Sequence, residues 1–296
     1  MKKTMKIICI LLAAIVTLTV LYFVFAFFGN PVSYLLAKRN ASQFLEDKFG
    51  DSNFEIERVG YNFKTGGYYA DVIDSESRDS YFSVYTDWRG QYHYDTYDGI
   101  TSMYNTYYRL DNEYRQLVKS VLANGICPFN TDIVIGELRD ADVIEVFTYT
   151  DQNGDVHHYT IEKRYGLHRS DLILDKEYDI RQLGASCGHI VLYIQDETLT
   201  VERAAELLLE VKTYMDSMNV PFYALGFHLC EPRNEDGQYT GTAITLFDFL
   251  YSDIYEEGLI ERVQNQWNIA QEHHAIQDGL KNELELITGS MDEIIP

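Results

Sequence analysis

An uncharged run near the amino terminus places the strongest constraint on how this chain folds. From Ile7 to Phe28 there is no charged side chain, and Lys2, Lys3 and Lys6 precede the run. At about 1.5 Å per residue, a helix over this run extends roughly 33 Å, enough to cross a hydrocarbon core about 30 Å thick. The sequence therefore predicts one transmembrane anchor within residues 1–29.

The lysines ahead of the run predict its orientation. The positive-inside rule keeps them in the cytoplasm, so the anchor is predicted to be single-pass with the C-terminal part of the chain extracellular. A cleaved signal peptide is the alternative, but such a peptide has a shorter apolar stretch and small residues at its cleavage site. This run ends in Phe25, Phe27 and Phe28 instead. We therefore expect an uncleaved anchor in the cell membrane.

The remainder of the chain is strongly acidic. Residues 29–296 contain 46 acidic and 21 basic side chains, a formal charge of −25. Such a surface repels nucleic acid and anionic lipid, so we expect no nucleic-acid partner. The charge is compatible with cationic partners or divalent ions, and solubility explains it equally well. With 46% hydrophobic and 14% aromatic residues, the chain has enough apolar material for folded cores.

Residues 30–126 form the first predicted module. Asn30-Pro31 is typical of a helix start, and the helix is predicted to reach Phe49. Alternating apolar residues then predict three or four antiparallel strands with a bulge near Arg58. A helix over residues 102–123 closes the module. Tight turns between the strands are predicted at residues 65–67 and 88–90.

Residues 127–286 form the second predicted module, and residues 287–296 form a tail. Asn153-Gly154, between two apolar runs, is the strongest hairpin signal in the chain. Apolar residues at helical spacing predict a helix from Thr200 to Met218 with strands on both sides, and a polar helix is predicted over residues 259–286. Helices beside antiparallel sheets place both modules in the α+β class.

Cysteine usage does not predict a disulfide framework. Cys9 lies in the apolar run, which leaves Cys127, Cys187 and Cys230 outside it. An odd number of cysteines at wide spacing is compatible with one bridge, for example between Cys187 and Cys230, or with three buried thiols.

Two overlapping motifs mark Ser186 and Cys187 as the candidate nucleophiles of an enzyme. Gly184 to Gly188 matches G-x-S-x-G, but a nucleophile elbow places a strand before its serine and a helix after it, and here a strand follows. A glycine-rich turn is the simpler interpretation. Cys187 is two residues from His189, and an imidazole can activate a thiol, yet a buried residue at a strand start explains the cysteine as well. We predict no catalytic residues and a non-enzymatic protein, with an envelope hydrolase using Ser186 or Cys187 as the alternative.

Acidic and histidine clusters do not predict a metal site. Four residues have the spacing of positions 1, 3, 5 and 12 of a calcium loop, but Val156 takes the place of the required glycine. These four residues are Asp151, Asn153, Asp155 and Glu162. The pairs His157-His158 and His273-His274 lack the i, i+4 spacing of a helical zinc site. We predict no metal and no cofactor, and keep divalent-cation binding by the acidic surface as a further alternative.

A dense group of tyrosines is the better candidate for binding. Exposed tyrosines make good contact surfaces for proteins or sugars, although aromatic residues in strands also fill cores. The group consists of Tyr92, Tyr94, Tyr97, Tyr104, Tyr107 and Tyr108.

Several short segments along the chain carry a family resemblance. They are Phe28-Gly29-Asn30-Pro31-Val32-Ser33, Ala37-Lys38-Arg39-Asn40-Ala41, Val59-Gly60-Tyr61-Asn62-Phe63-Lys64, Gly66-Gly67-Tyr68-Tyr69, Phe82-Ser83-Val84-Tyr85, Ala204-Ala205-Glu206-Leu207-Leu208-Leu209-Glu210 and Val220-Pro221-Phe222-Tyr223-Ala224. Together they resemble the YfjL-like proteins of Gram-positive bacteria, over nearly the whole chain and with separate N-terminal and C-terminal parts. The resemblance implies a membrane-tethered envelope protein and brings no catalytic residues. We therefore expect an accessory module of the cell envelope that is attached to the membrane by its N-terminal helix and binds a protein or peptide partner.

Overall fold

The protein consists of two α+β units. The computed structural model describes residues 2–122, 127–143, 145–150, 156–161, 165–238 and 240–277. Contacts within the chain define a first unit of Met1–Thr106 with Leu172–Lys176, and a second unit of Tyr107–Asp171 with Glu177–Pro296. Both combine helices with mainly antiparallel sheets, which confirms the predicted fold class. The module boundaries after residues 29, 126 and 286 stay predictions.

The first unit opens with a long apolar helix. The elements of this unit are α1 Lys2–Phe28, α2 Pro31–Phe49, β1 Phe54–Asn62, β2 Gly67–Asp74, β3 Ser77–Thr86, β4 Tyr92–Asp95 and α3 Asp98–Thr101. The described part of the chain has one helical stretch that is long and apolar enough to cross a membrane, and α1 supplies its apolar part. A signal sequence passes the same test of length and composition.

Helix α2 begins where the sequence predicts it. The side chain of Asn30 caps the helix, because its Oδ1 accepts a hydrogen bond from the Ser33 backbone N–H at 2.8 Å. Pro31 occupies the first helical position, and Gly50 follows the last residue with a φ of +51°. The buried residues of α2 form one stripe, Ser33, Ala37, Ala41 and Leu45.

The first sheet has the strand order β1-β2-β3-β4, and each neighbouring pair is antiparallel. The predicted bulge lies in β1 between Ile56 and Arg58. Antiparallel order places the β1–β2 and β3–β4 turns at one end of the sheet and the β2–β3 turn at the other. One face of the sheet packs with α2 around a core of Ala41, Leu45, Ala70, Val72, Phe82, Val84 and Ile100.

Two tyrosines of the first sheet hold the end of α1. Tyr61 Oη donates a hydrogen bond to the backbone oxygen of Ala26 at 2.9 Å. Tyr68 Oη accepts a hydrogen bond from the Asn30 N–H at 2.7 Å and donates one to the Asn30 oxygen at 3.1 Å. Gly29 has a φ of +74°, and a Cβ there would lie 2.5 Å from Tyr68 Oη. Helix α1 is therefore joined to the sheet by hydrogen bonds rather than by a free linker.

Residues 172–176 join the first unit from far along the chain, and we call them the closing segment. The Asp79 N–H donates to Asp175 Oδ1 at 3.0 Å, and the Asp175 N–H donates to Asp79 Oδ2 at 3.1 Å. Leu174 packs against the core of the first sheet. The closing segment therefore supplies both hydrogen bonds and apolar contacts to this unit.

The second unit is built on a four-stranded sheet. Its elements are α4 Tyr104–Leu122, which spans the division between the units, β5 Thr131–Leu138, β6 Glu145–Thr150, β7 Val156–Ile161, α5 Ile180–Cys187, β8 Gly188–Gln195, α6 Val201–Ser217, β9 Ala224–Cys230, β10 Thr242–Leu250 and α7 Leu259–Gln277. The strand order is β10-β9-β8-β5, and β8 and β9 run parallel because α6 connects them as a crossover. Strands β6 and β7 pair as a predicted hairpin, but its Asn153-Gly154 turn lies outside the described residues.

Two elements of this unit differ from the sequence predictions. The turn predicted over residues 184–188 is wrong, since Gly184 to Cys187 form the last part of α5. Gly184 is required there by packing, because a Cβ at this position would lie 2.6 Å from the Tyr114 ring. Strand β5 was not predicted. The polar helix predicted to residue 286 is described as α7 as far as Gln277.

Candidate functional site

The face of the first sheet opposite α2 carries a row of tyrosines. Along β2 and β3, buried residues alternate with partly exposed ones, because successive side chains of a strand point to opposite faces. Tyr69 on β2 pairs with Tyr85 on β3, and Tyr85 pairs with Tyr94 on β4. The ring centroids lie 6.2 Å and 4.4 Å apart, and the second pair is stacked with an interplanar angle of 11°. We call these three residues the tyrosine row.

A glycine and an arginine complete the row on β1. Gly60 pairs with Tyr69, and a Cβ at Gly60 would lie 2.3 Å from the Tyr69 ring. The glycine therefore allows the ring to lie over β1. The Arg58 guanidinium is 5.7 Å from the centroid of the same ring and forms a 2.7 Å ion pair with Asp71, which also accepts a hydrogen bond from Ser83 Oγ. This ion pair fixes the charged end of the row.

The clustered tyrosines that the sequence marks do not form one surface. Tyr94 belongs to the tyrosine row, whereas Tyr92 stacks on Phe44 of α2 at 4.9 Å and Tyr97 packs against Phe49 at 4.7 Å. The other three marked tyrosines lie on α4, namely Tyr104, Tyr107 and Tyr108. The remaining members of the row were missed, although alternation along β2 and β3 offered a signal for them.

The second unit contains a cluster of charged side chains on its sheet. Glu137 of β5 pairs in register with His189 of β8, and His189 Nδ1 lies 3.0 Å from Glu137 Oε1. On the other side of the ring, His189 Nε2 lies 3.1 Å from Asp248 Oδ1 of β10. Asp248 Oδ1 also accepts hydrogen bonds from Arg139 at 2.8 Å and from Tyr165 Oη at 3.0 Å. We call these five residues the charged cluster.

The members of the charged cluster form hydrogen bonds and ion pairs with one another. Burial alone would lower the pKa of His189, but hydrogen bonds to Asp248 and Glu137 outweigh burial and raise it. Burial would raise the pKa of Asp248, but the His189 hydrogen bond and the charge of Arg139 hold it well below its ordinary value. Both ring nitrogens of His189 already have partners within the cluster, Glu137 at Nδ1 and Asp248 with the Arg139 guanidinium at Nε2. The arrangement therefore suits a structural lock better than a general base.

Asp248 occupies an unusual backbone conformation within this cluster. Its φ is +44°, and it lies in a β-bulge of β10 between Leu246 and Phe249. A non-glycine residue in the left-handed region is uncommon, and bulges redirect side chains. The bulge is what aims the Asp248 carboxylate at the ring of His189.

The two candidate nucleophiles lie at the C-terminal end of α5. Ser186 Oγ donates a hydrogen bond to the Leu183 backbone oxygen at 3.1 Å. Cys187 is buried, its Sγ donates to the same oxygen at 3.2 Å, and burial raises the pKa of its thiol to about 11. Because only the thiolate is a good nucleophile, Cys187 is in its unreactive form at neutral pH. His189 faces the two carboxylates of the charged cluster.

The other candidate residues fall into two groups. The calcium-spaced residues Asp151, Asn153, Asp155 and Glu162 lie outside the described residues. His157 and His158 are successive residues of β7, and His273 and His274 lie on α7. Across the described ranges, no group of three or more His, Cys, Asp or Glu side chains is placed to hold a metal ion. Cys9, Cys127, Cys187 and Cys230 are free thiols, so no bridge joins Cys187 to Cys230.

Within the described residues, the protein has one helix that could serve as a membrane anchor, followed by two α+β units. The family model of the YfjL-like N-terminal domain matches residues 4–96, and that of the YfjL-like C-terminal domain matches residues 113–264. The chain therefore belongs to the YfjL-like family, as its sequence segments indicated. No curated protein and no solved structure matches the chain.

Proposed function

We propose that this protein is a single-pass, membrane-anchored component of the cell envelope of a Gram-positive bacterium that binds a partner and catalyses no reaction. In this proposal the N-terminus is cytoplasmic, α1 crosses the membrane, and both units are extracellular. The observation that carries the binding role is the tyrosine row, an ordered aromatic surface on a sheet face that α2 leaves open.

The chemistry of the tyrosine row favours a protein or peptide partner. Tyr94 is 47% exposed, and stacked tyrosines offer flat apolar area together with hydroxyl groups. Tyrosine faces also attract cations, and the formal charge of −25 on residues 29–296 adds a long-range attraction for basic groups. The partner we propose is therefore an envelope protein or peptide that presents lysine or arginine side chains.

Site-specific photocrosslinking in native membranes tests this proposal. A photoreactive phenylalanine replaces Tyr94 in the full-length protein, and a matched variant carries the same group in place of Ser75, in the β2–β3 turn. We expect a discrete crosslinked partner from position 94 only, lost when Tyr85→Ser is added and retained when Tyr104→Ser is added. An anchor-only variant controls for capture by α1. Equal products from positions 94 and 75, or a product that survives Tyr85→Ser, would show that the row is not the binding surface.

Membrane anchoring and orientation are tested separately. Resistance to alkaline carbonate extraction, with degradation of the folded units by protease added outside intact cells, is the expected result. Release by carbonate, or a mature chain that begins after α1, would instead identify α1 as a cleaved signal sequence. Protection from external protease would reverse the orientation.

The alternative functions have simple tests. An envelope hydrolase needs Ser186 or Cys187 as its nucleophile, and the hydrogen bonds and raised thiol pKa described above argue against both. Ser186→Ala and Cys187→Ala variants that retain full function in cells would remove this alternative. Divalent-cation binding by the acidic surface predicts heat on titration with millimolar calcium, and calorimetry without heat would remove it.

A further inference from the structure

The end of the first sheet from which α1 leaves has a surface unlike the rest of the first unit. The contacts of Tyr61 and Tyr68 place the end of α1 beside the β1–β2 turn. The β3–β4 turn lies at the same end, because antiparallel order alternates the turns between the two ends. The start of α2 is also there, since its cap Asn30 contacts Tyr68, and a Cβ at Gly90 in the β3–β4 turn would lie 2.7 Å from the Leu36 backbone. We call this the proximal end.

The exposed apolar side chains of this region are concentrated at the proximal end. In the first unit beyond α1, the exposed large hydrophobic residues other than tyrosines are Val32, Leu35, Leu36, Phe63 and Trp88, with Ile173 of the closing segment as the exception away from this end. The first three lie in the opening turns of α2, Phe63 lies in the β1–β2 turn, and Trp88 lies in the β3–β4 turn. Phe63 and Trp88 are each 58% exposed. Aromatic and aliphatic groups gathered at one end in this way are typical of a surface that is covered in use.

The charge at the proximal end also differs from that of the whole protein. Four basic side chains lie in the same segments, Lys38, Arg39, Lys64 and Arg89. The one carboxylate in these segments is Asp87, whose Oδ1 accepts hydrogen bonds from two backbone N–H groups of its own turn, at 2.8 Å each. The Arg89 guanidinium lies 4.6 Å from the Trp88 ring. The opposite end is acidic instead, with Asp74 and Glu76 in and beside the β2–β3 turn.

We propose that the proximal end is embedded in the interfacial layer of the membrane that α1 crosses. In this arrangement Phe63, Trp88 and the apolar start of α2 lie at the level of the lipid carbonyl groups, and Lys64 and Arg89 bind lipid phosphates. Tryptophan and basic residues have this combined preference for the membrane interface. The proposal rests on the anchoring role of α1, and the hydrogen-bonded junction at Asn30 supplies continuity with it. The lipid surface is the occupant, and the first unit is held against the membrane rather than suspended above it.

Fluorescence of the full-length protein in vesicles tests this proposal. Trp267→Phe leaves Trp88 as the one tryptophan, since the chain has two. The protein is reconstituted into vesicles of phosphatidylcholine and phosphatidylglycerol, with and without bromine on the acyl chains near the carbonyl group. We expect brominated lipid to reduce Trp88 emission by about half, because interfacial tryptophan lies within contact range of the bromine atoms. A matched reporter, Ser75→Trp with Trp88→Phe and Trp267→Phe, is expected to show no reduction.

The outcomes separate this inference from the proposed anchoring. The protein could remain with the vesicles in carbonate while Trp88 emission is no more quenched than that of the Ser75→Trp variant. That result would overturn the interfacial placement and leave the anchor in place. Release of the protein by carbonate would overturn both. A second reporter, Phe63→Trp with both native tryptophans replaced by Phe, guards against a local effect at Trp88 and is expected to be quenched to the same extent. Quenching at one turn without the other would also refute the proposal, because both turns belong to the same end of the sheet.

Discussion

Replacing Tyr68 by phenylalanine removes one oxygen atom at the junction between α1 and the first sheet. The ring of Tyr68 is 3% exposed and keeps its packing in the variant. The lost hydroxyl accepts a hydrogen bond from the Asn30 N–H and donates one to the Asn30 oxygen. The Asn30 oxygen retains a second partner, the Tyr34 N–H at 3.1 Å, whereas the Asn30 N–H loses its acceptor, the Tyr68 hydroxyl. The substitution therefore costs mainly one partly buried, unsatisfied donor.

An unsatisfied donor of this kind costs about 1–2 kcal/mol, since burial without a partner forfeits the solvation of the group. A change of that size alters the ratio of the closed to the locally opened form of the junction by about 5–30-fold. Hydrogen exchange of the full-length protein, followed by mass spectrometry, reads this ratio in peptides from α2 and β2. We expect Tyr68→Phe to accelerate exchange in both elements by about this factor.

Tyr94→Phe is the matched control for Tyr68→Phe. It makes the same chemical change on an exposed ring of the tyrosine row and is expected to leave exchange in α2 and β2 unchanged. If Tyr68→Phe exchanged no faster than Tyr94→Phe, the hydrogen bonds at Asn30 would contribute nothing to stability. The junction between α1 and the first sheet would then not be held by these hydrogen bonds.

Three further predictions concern other parts of the molecule. The pKa of His189 is raised, so its interactions stabilise the fold fully below the ordinary histidine pKa of 6.5, and this stability is lost as pH rises. The pKa of Asp248 is lowered, so its interactions stabilise the fold above the ordinary aspartate pKa of 3.8, and this stability is lost as pH falls. Urea unfolding should therefore show greater stability near pH 5 than near pH 8, and Asp248→Asn should reduce this difference without removing it, because Glu137 still accepts a hydrogen bond from His189. Gly90→Ala places a Cβ 2.7 Å from backbone at a φ of +77° and should cost at least about twice the ~1 kcal/mol of Gly66→Ala, which meets no atom within 4 Å, as measured by the thermal midpoint. Cys187, buried with a thiol pKa of about 11, should resist iodoacetamide at pH 8 in the folded protein and react after denaturation, and rapid labelling in the folded state would contradict its burial.

Local signals in the sequence predicted much of the first sheet and its helix. The cap at Asn30, the bulge before Arg58 and the β1–β2 turn were all predicted, because each depends on residues close together in the chain. The helix at Gly184 was predicted as a turn because its glycine is required by Tyr114, a residue distant in sequence. Local propensity cannot report such a contact, and tertiary packing overrides it.

The candidate sites also depend on contacts between residues distant in sequence. Tyr69 and Tyr85 become neighbours only through strand register, which pairs β2 with β3, and the sequence alone did not specify that pairing. The charged cluster joins residues of β5, β8 and β10 with Arg139 and Tyr165, and of these only His189 was considered from the sequence. The bulge that directs Asp248 toward His189 has no local sequence signature. The site residues that the sequence did not reveal are therefore those brought together by pairing between distant strands.

The closing segment has a consequence for the timing of folding during synthesis. Asp175 follows Asp79 by 96 residues, so the first unit lacks its reciprocal hydrogen bonds until that length of chain has been made. At about 5–20 residues per second, the delay is roughly 5–20 s. The first unit therefore lacks these contacts when it emerges, and during this interval Leu174 does not yet cover its part of the core. A nascent chain arrested shortly before residue 172 would capture the protein in that unfinished state.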